Sequence, residues 1–252
     1  MVTPMGGLFV SGGTRWLHKV RPCIEDASCV KQLRSCGAIL VGKTNMHELG
    51  AGASGINPHY GATRNPYDIN KISGGSSSGS AAAVCAGLCP VALGVDGGGS
   101  VRIPAALCGV VGFKPTSGRI SNSGILPLNW TVGMPGILAA TVEDALITNR
   151  QTYFHKEIFK MADVIVTPTT GVTAYPLLSD AADTGELDYI NGAALVRFSI
   201  AGNFLGLPAV TLLFPEICWK EFTHWVLCWQ TLCIKSYKRP KVYYDLLKKE
   251  QA

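Results

Sequence analysis

The sequence predicts an α/β fold. Three observations carry the prediction. Short, wholly apolar runs alternate with segments of helical spacing; 47% of the residues are hydrophobic while only 15% are charged; and the 29 glycines follow no three-residue period. The 252 residues are enough for one large domain or two small ones, with apolar material for a sizeable core. A mean hydropathy of +0.23 excludes a mainly disordered chain, because such a chain buries enough apolar surface to offset its ordering entropy.

The elements follow in order. Residues 1–22 read as loop, broken by Gly6, Gly7, Gly12 and Gly13. Residues 26–35 read as a helix, with Ala27, Val30 and Leu33 on one face. Residues 38–41 are apolar throughout and closed by Gly42, which suits a strand buried on both faces. Residues 57–70 are turn-rich, and 64–73 in particular read as turn, with Pro66, Asn65 and Asn70. Residues 80–88 read as a small-residue helix ended near Pro90, 91–95 as a second buried strand, and 164–166 as a third. After Thr211 the character changes: residues 218–233 hold three of the five tryptophans and three of the nine cysteines, without a glycine.

Charge and cysteine content narrow the partners. Of the net charge of +5, the stretch 216–252 supplies +3, from seven Lys/Arg against four Asp/Glu, so the remainder offers no nucleic-acid face. The nine cysteines are odd in number and sit mostly in apolar runs, and no signal peptide precedes them. This predicts free thiols in a reducing, intracellular compartment, cytoplasmic or peripheral to endomembranes. Cys85 and Cys89 lack partners at zinc spacing, so no metal is expected. The longest uncharged apolar run, 81–95, is shorter than the ~20 residues of a spanning helix, so no transmembrane segment is expected.

Two short motifs match by letter and fail by context. GAILVGKT at 37–44 satisfies the P-loop pattern, but the residues between its glycines are themselves the predicted strand, so nucleotide binding ranks last among the functional readings. GSSSG at 75–79 matches a nucleophile elbow centred on Ser77, yet no strand is predicted to feed it, and His155 and His224 are the only later histidines. A larger constellation carries more. GGSSSGS at 74–80 and DGGGSVRIP at 96–104 are two serine-bearing glycine loops separated by a predicted helix and strand. Three glycines before a serine let successive backbone N–H groups turn toward one point, as an oxyanion hole requires. A pair of flexible linkers would not need the apolar 81–95 between them.

Residues 74–116 resemble the signature segment of the amidase signature family, serine hydrolases of amide bonds. The flanking GKTNMHELG (42–50), GINPHY (55–60) and LPLNWTVGM (126–134) are most similar to plant fatty acid amide hydrolases. The resemblance runs over 12–150, resumes over 162–211 and returns briefly at 238–247. It implies a mixed β-sheet core covered by helices. Here that core is expected to be incomplete: a partial domain over 1–211 with a deletion near 150/151, then an anomalous tail over 212–252 packed outside the family manner. The tail's LLFPEICW (212–219) followed by KRPKVYYD (238–245) resembles a shifted frame or altered splicing.

The resemblance also implies a Ser, Ser, Lys triad and no cofactor. Ser100 matches the nucleophile and Ser76 the bridging serine, which follows a cis peptide bond in the family; the backbone N–H groups of Gly97, Gly98, Gly99 and Ser100 match the oxyanion hole. The family's basic lysine lies on a strand upstream of the segment similar to GGTRWLH (12–18), and no residue of this sequence matches it. Lys43 matches a different family lysine, and Lys19 and Lys31 lie in segments without that role. The implied activity is hydrolysis of a lipid N-acyl amide, such as an N-acylethanolamine, to fatty acid and amine, impaired by loss of the base. Peripheral membrane contact is compatible with such a substrate. The alternative is a non-catalytic remnant or interaction module with open sheet edges.

Overall fold

The computed structural model describes residues 12–126, 129, 131–152, 164–177, 181, 189–197, 199–204, 206, 208–213, 228–232 and 242–243. Helices α1 (Leu17–Val20) and α2 (Ser28–Ser35) come first. Two small antiparallel hairpins follow: β1 (Ile56–Asn57) with β2 (Gly61–Ala62), and β3 (Arg64–Asn65) with β4 (Asp68–Ile72). Helix α3 (Ser78–Cys85), strand β5 (Val91–Asp96), helix α4 (Arg102–Cys108), strand β6 (Val111–Lys114) and strand β7 (Met134–Ala139) form the central run. After α5 (Val142–Thr152) come β8 (Val164–Pro168), α6 (Tyr189–Val196), α7 (Ile200–Phe204), β9 (Ala209–Leu213), β10 (Cys228–Leu232) and β11 (Val242–Tyr243).

Seven strands make one mixed sheet in the order β11-β8-β10-β9-β6-β7-β5; β11 pairs parallel with β8 and the other pairings are antiparallel. One face carries a core of Val30, Ile120, Ile125, Ile137, Ala139 and Ala145, closed by α2 and α5. The other carries Ala81, Val84, Val101, Ala105, Cys108 and Leu138, beneath α3 and α4. Glycines let the helices approach this second face. Gly94 and Gly136 are register partners across β5 and β7, and a Cβ on Gly94 would lie 2.5 Å from Ser77 Oγ and 2.9 Å from Val101 Cγ2. Helix α4 is buried along its whole length and ends at Gly109, which supplies the left-handed cap (φ 66°). Among the described residues, no helix is long and apolar enough to cross a membrane.

Several expected elements differ. Residues 38–41 do not form a strand: Ile39 is 86% and Val41 74% exposed, because no described strand lies beside them to complete a ladder. The expected loop over 1–22 contains α1, nucleated where the Thr14 hydroxyl accepts the Leu17 N–H (2.9 Å). The turn-like 64–73 is a hairpin, stitched by the Asn65 side-chain amide to Ile72 O (3.3 Å) and Leu107 O (2.7 Å). The buried face of Ile72 anchors that hairpin to a third apolar cluster with Ile56, Ile103 and Leu195. Beside these, β9 spans Ala209–Leu213, and β10 and β11 both pair with β8.

Candidate active site

The two serine loops meet at the end of β5. The Ser77 N–H donates to the Ser100 carbonyl (3.0 Å), the Val95 N–H donates to Ser77 Oγ (3.3 Å), and the His47 N–H donates to the Ser76 carbonyl (3.0 Å). The Gly75–Ser76 peptide is cis. Ser76, Ser77, Gly97, Gly98 and Ser100 all line one cavity of about 1410 Å³.

The hydrogen bonds sort the serines of these loops into two kinds. Ser73 donates to Thr63 O (2.9 Å) and Ser78 accepts from the Thr63 hydroxyl (3.0 Å). Ser80 donates to Leu93 O (3.0 Å) and shares a bond with the Thr44 hydroxyl (2.8 Å), while Ser77 is held by Val95. Only the hydroxyls of Ser76 and Ser100 make no bond to a described residue. Ser77 is therefore a structural serine. A strand, β4, does precede its loop, which corrects the expected absence of one, but the Val95 bond ties its hydroxyl to the sheet. His155 and His224 lie outside the described residues.

A buried charge network holds the triple-glycine loop. Asp96 and Arg102 are both fully buried and form a bidentate pair, Nε to Oδ2 at 3.0 Å and Nη2 to Oδ1 at 2.9 Å. The Asp96 carboxylate also accepts the N–H groups of Gly99 (2.8 Å) and Val101 (3.1 Å), so it defines the turn of the triple-glycine loop around Ser100. From the far end of the chain, Asn203 Nδ2 donates to the Asp96 carbonyl (3.0 Å) and to its Oδ1 (2.9 Å), Ser199 Oγ donates to Gly98 O (2.9 Å), and Arg102 Nη1 donates to Ser199 O (2.8 Å). Burial by itself raises the Asp96 carboxyl, but the charge and hydrogen bonds of Arg102, with the amide of Asn203 and the charge of Lys114, outweigh it and hold the group well below the usual carboxylate range. Lys114 is fully enclosed, donating to Pro115 O (3.1 Å). Burial pushes its ammonium down to about 8, with Asp96 opposing that change and Arg102 adding to it.

One expectation narrows. The Gly99 N–H is taken by Asp96, so of the four expected oxyanion donors only Gly97, Gly98 and Ser100 keep N–H groups without a described acceptor. Lys43 lines the same cavity with an exposed side chain. The sequence reading gave no role to His47, Ser199 or Asn203. His47 is buried against the site with Nδ1 unpartnered among the described residues, and burial lowers its pKa against the opposing charge of Glu48. Asn203 stands 107 positions from Asp96, so no local motif could have joined them.

A serine hydroxyl and backbone N–H groups without partners among the described residues are suited to acyl transfer, in which the hydroxyl attacks a carbonyl and the N–H groups receive the developing charge. Residues 5–156 match the family model described as Amidase. The chain belongs to the amidase family. Within it, the chain is 56% identical to a fatty acid amide hydrolase of Medicago truncatula and 30% identical to one of Oryza sativa subsp. indica, in each case over 94% of this chain and 64% of the relative. The chain thus spans slightly less than two thirds of the length of these curated relatives. Among solved structures, an amidase superposes with a TM-score of 0.76 at 24% identity, covering 92% of this chain and 79% of that one. An amidase family protein from Bacillus anthracis is 38% identical over 62% of this chain and 32% of its own, with a TM-score of 0.57. These likenesses agree with the mixed α/β architecture of the family.

Proposed function

We propose that the chain carries the machinery for hydrolysing the amide bond of a fatty acid N-acyl amide, with Ser100 as nucleophile and Ser76 as bridging serine. The observation that supports this most is that these two hydroxyls make no bond to a described residue, where every other serine of the two loops is tied to the frame. In this reading Ser100 Oγ adds to the amide carbonyl carbon while its proton passes to Ser76 Oγ as the Ser76 hydroxyl gives its own proton to solvent water, and the N–H groups of Gly97, Gly98 and Ser100 receive the oxyanion. The C–N bond then breaks, the proton moves through Ser76 to the leaving amine, and water hydrolyses the acyl ester to release the acid. The names of the rice and Medicago relatives favour a fatty acyl group. Ile200, whose side chain lies 3.8 Å from where a Cβ on Gly98 would stand, offers that group an apolar wall.

The proposal includes impaired turnover. No lysine of this sequence matches the family's base, and losing a general base costs ~10²–10⁴-fold in rate. It also keeps the family core in 1–211, interrupted near 150/151, with 212–252 departing from it. In support, the Medicago match extends over 390 aligned residues, more than the 252 present here, so the relative carries chain inside the matched span that this sequence does not. The test is N-acylethanolamine hydrolysis by this chain and by the Medicago relative. The expected result is a rate lower by ~10²–10⁴-fold that vanishes in Ser100→Ala. A rate equal to that of the relative would contradict the impairment, and a rate unchanged in Ser100→Ala would contradict the serine assignment.

A further inference from the structure

Residues 46–55 form a strap around Ser76. The His47 N–H donates to the Ser76 carbonyl (3.0 Å), and a Cβ on Gly50 would stand 3.6 Å from Ser76 Oγ. A Cβ on Gly75 would come within 3.3 Å of Gly52 O and 2.8 Å of Gly55 N, so the strap also abuts the residue before Ser76. The side of the strap away from Ser76 is clamped. Asn57, fully buried, donates its side-chain amide to Met46 O (2.8 Å), and the Leu49 N–H donates to Gly12 O (2.7 Å). Leu49 is the one non-glycine among the described residues with a positive φ (52°). A backbone held in that region persists only where its surroundings over-determine it.

The His47 ring fills the strap from within. It is buried, and His47 lines the cavity that Ser76 and Ser100 share. A Cβ on Gly52 would run into its Cε1 and Nε2 and come within 2.7 Å of Nδ1, so the ring occupies the space that a side chain at 52 would need. Nδ1 is enclosed and has no partner among the described residues. A neutral imidazole tolerates this, because one of its nitrogens carries a lone pair and no proton. An imidazolium donates from both nitrogens, which here would enclose an unpaired, charged N–H. Charging the ring therefore drives it from its seat on Gly52. Among its surroundings, Glu48 follows it in sequence, with the carboxylate engaged by His59 (2.7 Å) from the β1–β2 turn. Lys43, Tyr60, Cys89 and Tyr175 are the other titratable side chains lining the cavity, none of them a carboxylate. Residues 49–55 and the serine loop 73–80 carry no charged side chain.

We propose that the neutral His47 ring is a positioning group for Ser76: seated on Gly52, it fixes residues 47–52 against the Ser76 peptide, and charging the ring releases that hold. The role presupposes Ser76 as the bridging serine of the proposed hydrolysis. Burial holds the ring below its ordinary value of 6.5 against the opposing charge of Glu48. The ring is therefore neutral, and Ser76 held, above that ordinary value. The hold is lost as pH falls through the lower value of the folded protein, and the reactivity of Ser100, which passes its proton to Ser76, falls with it.

The test follows fluorophosphonate labelling of Ser100 in the full chain over about pH 5 to 8. In the wild-type protein labelling should slow by about tenfold or more as pH falls below 6.5, and His47→Asn, which has no titrating ring, should lack that acid limb. His59→Asn, which leaves His47 in place, should keep it. Gly52→Ala, which puts a Cβ into the ring, should slow labelling by about tenfold or more at about pH 7.5, and His47→Ala should add no further loss in that background, since the seat is already gone. The pH comparison needs no change at Gly52 and decides the matter even where Gly52→Ala does not fold. Three results on Ser100 would overturn this role alone: the same pH profile in the wild type and His47→Asn, an acid limb that vanishes in His59→Asn instead, or additive losses from Gly52→Ala and His47→Ala. An adduct on another serine would overturn the serine assignment, and the role with it.

Discussion

Asp96 sits at the centre of the candidate site without lining its cavity. Its two carboxylate oxygens hold the Arg102 guanidinium, the amide of Asn203 and the backbone of the loop that presents Ser100. Asp96→Asn keeps the shape and removes the charge, leaving Arg102 fully buried without its counter-ion. Breaking a buried pair in this way costs about 3–5 kcal/mol, which urea unfolding at neutral pH should show. The pH dependence has a definite sign. Because the folded carboxyl is held below its ordinary value of 3.8, the unfolded chain binds the proton first. The stabilisation is complete above that ordinary value and is lost as pH falls toward the folded one. The wild-type protein should lose stability over this acid range, and Asp96→Asn should lack that component. An identical acid limb in both proteins would remove Asp96 from this role.

At the scale of elements, the turn from β5 into α4 is built on a glycine that has no substitute. Gly99 has φ +122°, and a Cβ there would run into Ser199 Oγ and come within 2.7 Å of Ile103 Cδ1. A Cβ on Gly97 meets nothing within 4 Å. Gly99→Ala should therefore lower the melting temperature by several degrees while Gly97→Ala leaves it nearly unchanged, a contrast that calorimetry measures directly. The two glycines are alike in sequence, and only their surroundings separate them. Much of this region was legible beforehand: α2, α3, β5 and β8 follow from apolar spacing and glycine or proline punctuation, and the two serine loops from their composition. The strand expected at 38–41 failed for a physical reason. Apolar sequence specifies that a segment pairs, but the ladder also needs a neighbour, and the described chain sets none beside it. Asn203 and Ser199 were illegible because their partners lie about a hundred positions away.

Across the whole molecule, the site depends on two distant parts of the chain closing on each other. Residues 44–102 supply both serine loops, and residues 199–203 supply the arm that locks the second loop against β5. The sheet joins these parts, since β9, which follows that arm, pairs with β6, which follows α4. Pieces of the chain beyond residue 213 enter the same sheet through β10, so the ordering of Ser100 is coupled to strands far from it in sequence. The central claim is that this assembly yields one reactive serine. The most direct measurement is reaction of the folded chain with a fluorophosphonate, followed by peptide mapping of the adduct by mass spectrometry. The account predicts a single slow adduct on Ser100 that disappears in Ser100→Ala and after unfolding in urea. An adduct on Ser77, or labelling of Ser100 that survives unfolding, would contradict it.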